Sequence, residues 1–148
     1  MNKHMRLIQA FALGMAVLSI PTLAAATTVT VLDPGVLVAK GAGARIAVEV
    51  ACDFEAGANV FVGADITQRV GNRVTIGFGG TNGRVPITCD GTPLIVEVIV
   101  TVSAGLPDGS RAFKSGPAIV RGFADVCNAD FSQCEFTETR DDIRLVRH

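Results

Sequence analysis

From residue 27 onward the chain alternates apolar and polar positions with a period of two. Gly, Pro, Asp and Asn interrupt it at short intervals, which is the pattern of strands separated by turns. The first run, TVTVLDPG (27 or 28 to 35), is expected to end at Asp33-Pro34-Gly35. In ARIAVEVAC (44–52), Ile46, Val48, Val50 and Cys52 share one face and Arg45, Ala47, Glu49 and Ala51 the other, so that sheet has one buried side. NVFVGADITQRV (59–70) and RVTIGF (73–78) flank Gly71-Asn72 and predict a hairpin. FGGTNG (78–83) reads as a glycine-rich loop, and RVPITC (84–89) as a strand with Val85, Ile87 and Cys89 on one face. After a turn at Asp90-Gly91 come PLIVEVIVTVS (93–103), FKSGPAIVRGFADVC (113–127) and CEFTETRDDIRLVR (134–147).

No segment carries a 3.6-residue apolar period, so the pattern gives an all-β fold of about seven or eight strands, a sandwich or a barrel. The expectation is an immunoglobulin-like antiparallel β-sandwich, because Cys52 and Cys89 are both in phase with core residues. The buried tryptophan of antibody domains has no counterpart, since the chain contains neither Trp nor Tyr.

The first 26 residues break the pattern. Basic MNKHMR, the 14-residue apolar run LIQAFALGMAVLSI and then PTLAAA are the three parts of a secretory signal peptide, with Ala24-Ala25-Ala26 as the small-residue cleavage pattern. A mature single domain over 27–148 is therefore expected, secreted or periplasmic. Removing Lys3 and Arg6 leaves 11 basic against 14 acidic residues, a formal charge of −3. The basic residues are scattered singly, so no nucleic-acid face is expected, and no later apolar run is long enough to insert in a membrane after cleavage.

All four cysteines (52, 89, 127, 134) lie in the expected mature part, and an even number in an oxidising compartment reads as two disulfides. There is no Cys-x-x-Cys, and His148 is the sole histidine after residue 26, so a zinc site is not expected. Cys52 and Cys89 both sit on apolar faces and are predicted to pair through the core. Cys127, in phase with Arg121 and Asp125, and Cys134 flank NADFSQ and are predicted to clasp that loop. Chain entropy puts the first crosslink at roughly 4 kcal/mol and the second at about 2 kcal/mol.

The strand-borne Cys52, the turn Thr88-Cys89-Asp90-Gly91-Thr92-Pro93, the strand opening Phe113-Lys114-x-Gly116-Pro117-Ala118 and the late pair Cys127 and Cys134 resemble a family of small exported bacterial domains, mainly actinobacterial. The resemblance spans roughly 28–147. It implies a two-disulfide immunoglobulin-like sandwich and carries no activity. A more distant similarity, to actinomycete chromophore-carrier apoproteins, is one of architecture only, because there each disulfide closes a short loop.

Candidate chemistry is sparse. With His148 alone and no Gly-x-Ser-x-Gly, neither a Ser-His-Asp nor a Cys-His site is expected. The glycine-rich GAGA (41–44) and GFGGTNG (77–83) lack the lysine and helix of a phosphate cradle and read as turns. Asp125, Asp130, Glu135 and Glu138 are candidates for paired-carboxylate chemistry, read instead as solvated faces and loop tips. Asp125, Asn128 and Asp130, with Ser132 and Glu135, offer calcium oxygen ligands around one loop. Gln133 and Thr139 stand where an EF-hand needs Gly and Glu, so no metal or other cofactor is expected. Glu97 shares an outward face with Ile95, Ile99 and Thr101, paired across to Arg45 or Arg121, or marking a patch with Ile95 and Ile99 that meets a protein. The reading is a non-enzymatic exported sandwich that binds a protein partner by a sheet face or loops. The alternative is a small-ligand carrier with an inter-sheet cleft.

Overall fold

The computed structural model describes residues 27–53, 58–103 and 111–147; the expected signal peptide at 1–26 and His148 lie outside the described residues. The strands are β1 (Thr28–Val38), β2 (Gly43–Ala51), β3 (Ala58–Val70), β4 (Arg73–Gly80), β5 (Val85–Ile87), β6 (Leu94–Val102), β7 (Gly116–Cys127) and β8 (Cys134–Val146), with a 3-10 turn at Ala39–Gly41. Each coincides with an alternating run. The β3–β4 hairpin closes at Val70↔Arg73 around Gly71-Asn72, as its turn chemistry predicts.

The sheet order is β4-β6-β2-β1-β8-β7-β3, and β3 pairs again with β4, so seven strands form a closed ring. This corrects the two-sheet immunoglobulin-like sandwich to a barrel. Neighbours in an all-antiparallel ring must alternate in direction, which an odd number cannot do. One parallel contact is therefore required, and it falls between the first and last strands, at Gly35↔Leu145 and Val36↔Val146. The short β5 pairs with β3 at Ala58–Val60, beyond the stretch that β4 occupies.

Closure depends on β4, which touches both β3 and β6. Its Gly77 and Gly79 face inward, and a Cβ on either would run into a β6 carbonyl oxygen, that of Thr101 or Ile99. Glycine lets the two backbones approach at a barrel corner. The expected loop at 78–83 is thus strand as far as Gly80. β1 likewise passes its expected stop at Asp33-Pro34-Gly35, where the register with β2 shifts between Leu32 and Val36; the break absorbs Pro34 and the strand resumes.

The inward rows fill the ring with small branched side chains, among them Ile46, Val48, Val62, Val98, Val100 and Val120, all fully buried. A narrow barrel is packed in this way, with no lumen. The inter-sheet cleft expected of a carrier has no place here, because one ring replaces two sheets and its interior is occupied. Phe113, the largest fully buried side chain, sits at one end just ahead of β7. Beside it, the buried Gln68 amide donates to the Lys114 carbonyl (2.7 Å) and accepts from the Lys114 amide (2.9 Å).

Both disulfides form as predicted, Cys52 with Cys89 and Cys127 with Cys134. Cys52 and Cys89 are buried, but each lies just past a strand end, so the bond ties the end of β2 to the end of β5. Cys127 is buried despite its outward phase, since Cys134 stands directly opposite. The two crosslinks sit at the same end of the barrel, opposite Phe113.

Candidate functional site

The outward positions of β6 carry Ile95, Glu97 and Ile99, and all three are exposed. Arg45 of the adjacent β2 lies 3.7 Å from Glu97, so the first of its two expected cross-strand partners is the one found. Arg121 belongs elsewhere. On β7 it donates through Nε to Glu138 (2.9 Å), through Nη1 to Asp65 (3.3 Å), and lies over the Phe123 ring at 5.5 Å. The Glu138 hydrogen bond is the leading reason that the guanidinium is held above its ordinary range.

Ile95 and Ile99 belong to a larger apolar surface. Nine large apolar side chains are exposed among the described residues, and five of them (Val74, Ile76, Phe78, Ile95, Ile99) hold outward positions on the paired strands β4 and β6. Phe78 is the junction. It stands opposite Thr101, one outward position from Ile99, and stacks on Phe123 at 6.2 Å and 16°. Phe123 in turn meets Phe61 at 6.3 Å and Phe136 at 5.9 Å, so four phenylalanines cross the outside of β4, β3, β7 and β8. Gly63 makes the seat: it faces Phe123 across the β3–β7 ladder, and a Cβ there would lie inside the ring's contact distance.

This aromatic row escaped the reading of the sequence. Part of the signal was present: Phe61, Phe123 and Phe136 occupy positions out of phase with the apolar row of their own strand, whereas Phe78 is in phase with Val74 and Ile76, and of the six described phenylalanines only Phe113 is buried. What the sequence lacks is the register that brings the four together.

The remaining candidates do not converge. Asp125 is ion-paired with Arg84, Glu135 accepts from the Thr27 hydroxyl at 2.9 Å, and Glu138 holds Arg121. Asp130 accepts from the amide (3.0 Å) and hydroxyl (2.7 Å) of Ser132, while Asn128 Oδ1 accepts from the Gln133 amide at 3.1 Å. The loop at 128–133 thus spends its oxygens on its own turn. Asp125, Cys127 and Cys134 offer ligand atoms within 4.8 Å of one another, but both sulfurs belong to the disulfide and neither is a thiolate.

No family model and no curated protein matches the chain. Among solved structures it is similar to AggA, the major subunit of aggregative adherence fimbriae type I from Escherichia coli, at 14% identity and a TM-score of 0.38, over 84% of this chain and 95% of that one. At that score the likeness carries no inference about fold or role.

Proposed function

We propose that this is a non-enzymatic secreted or periplasmic β-barrel protein that binds another protein through the outer face formed by β4, β6 and the phenylalanine row. The observation that carries the reading is the continuity of Ile95, Ile99, Phe78 and Phe123 on one outer surface, with Phe78 and both isoleucines exposed. Contiguous exposed apolar surface with a polar border is characteristic of protein contacts, and flat aromatic side chains lose little conformational freedom there. The charges beside it support the same reading. Glu97, Asp65 and Glu138 are each held by an arginine of this chain, so none is left as an unpaired acid for proton transfer. Export agrees with the two disulfides, and the resemblance to exported actinobacterial domains belongs to the same proposal.

Affinity capture from the extracellular fraction tests it, comparing the native chain with Ile95→Asp/Ile99→Asp and with Phe78→Asp. Proteins retained by the native chain and lost by both variants, at unchanged melting temperature, are expected. Identical capture by all three overturns the assignment. So does a hydrolase screen in which turnover is found and then lost in Asp130→Ala.

A further inference from the structure

We infer that the end of the barrel opposite the disulfides binds a small organic carboxylate with an apolar body. A cavity of about 330 Å³ opens there, lined by Leu37, Lys40, Gly41, Phe113 and Arg147. That volume lies at the small end of the range for ligand sites, roughly 300–1,000 Å³. Half-buried Leu37 gives it an apolar wall beside the hydrogen-bonded backbones of Gly41 and Phe113, and Lys40 and Arg147 supply two exposed cations.

Neither Lys40 nor Arg147 has an ion-pair partner among the described residues, and the two border the same cavity. Two like charges bordering one cavity are best relieved by an anion held between them, with Arg147 presenting a guanidinium fork to a carboxylate and Lys40 a point charge. An inorganic anion would leave the half-buried Leu37 uncovered. A neutral apolar molecule would leave the cations unrelieved.

The backbone gives a second, independent indication. Ala39, Lys40 and Gly41 have φ of 47°, 56° and 90°, three left-handed residues in succession, of which only glycine adopts that region without steric cost. Gly41 is locked in place: its carbonyl accepts the Phe113 amide at 2.8 Å, and a Cβ on it would overlap the Phe113 carbonyl oxygen. Turn chemistry would be served better by Gly or Asn at position 40. A lysine kept there at the expense of strain is what a ligand clamp looks like.

Hexanoate is the probe, titrated at neutral pH by calorimetry and by amide chemical shifts of the full mature chain. Saturable shifts at Gly41, Phe113 and Arg147 are expected, with acetate and 1-hexanol each at least about tenfold weaker, because each keeps only half of the recognition. Lys40→Glu and Arg147→Glu should each weaken hexanoate by at least about tenfold at unchanged melting temperature. Lys40→Gly should weaken binding while raising the melting temperature, as the left-handed strain is released. Acetate binding as tightly as hexanoate, shifts centred elsewhere, or affinity retained in both Glu variants overturns the inference.

Discussion

At the scale of single residues, Thr75 stands apart: it is fully buried, opposite Gln68 in the β3–β4 ladder, and its hydroxyl finds no hydrogen-bond partner among the described residues. An unpaired buried hydroxyl costs about 1 kcal/mol or more, and valine has the same shape without it. Thr75→Val should raise stability by about 1 kcal/mol in urea denaturation; an unchanged or lowered midpoint would mean the hydroxyl is satisfied in solution. Two turn carboxylates make the opposite case, of polar groups well served. Asp90 accepts from the Thr92 amide at 2.9 Å and Asp130 from the Ser132 amide at 3.0 Å, and these backbone hydrogen bonds are the main reason that both lie below the ordinary 3.8. Because the folded value is the lower one, their contribution is fully present above 3.8 and is lost as pH falls through the folded value. On acidification the Thr92 and Ser132 amide shifts should titrate with midpoints below 3.8; a midpoint at or above that value refutes the account.

Among the elements, the two crosslinks close loops of very different length, with sequence separations of 37 and 7. Constraint of the unfolded chain grows with the logarithm of loop length, so the pair of Cys→Ala changes at 52 and 89 should cost roughly 4 kcal/mol and the pair at 127 and 134 about 2 kcal/mol. Equal losses in the two double variants would show that native-state effects outweigh chain entropy. The strands themselves follow from local pattern. β2 and β3 alternate cleanly and start and stop within a residue or so of their expected ends. Where expectation and structure part, the cause is packing rather than propensity: β4 runs on through Phe78-Gly79-Gly80 because a neighbouring backbone fits against its glycines, and β1 runs past Pro34 because a register break accommodates it.

For the molecule as a whole, the decisive event is the second pairing of β4, which turns an open sheet into a ring. The contact is short, at Gly77↔Val102 and Phe78↔Thr101, so with the equally short parallel β1–β8 contact it should be among the most easily opened seams. Gly79→Val should force β4 off β6, since its Cβ meets the Ile99 backbone carbonyl rather than a movable side chain. Amide exchange should then accelerate at the β4–β6 seam while the β3–β4 hairpin, with eight paired positions, keeps its protection. Uniform loss of protection, or none, would show that the ring does not depend on this corner.

The sequence by itself determined the strands, the outward placement of Ile95, Glu97 and Ile99, and the partners of all four cysteines. The strands, that placement and the core pairing of Cys52 with Cys89 follow from the period-two alternation, which assigns every side chain to a face without reference to any other strand, and the pairing of Cys127 with Cys134 follows from the short loop they flank. Tertiary structure alone decided that the sheet closes, that Arg45 and not Arg121 meets Glu97, that Phe61, Phe78, Phe123 and Phe136 form one row, and that Lys40 and Arg147 share a cavity. All four depend on which strands are neighbours and in what register. Those are long-range facts, fixed by how closely two backbones can approach and by what fills the space between them, and a local pattern does not contain them.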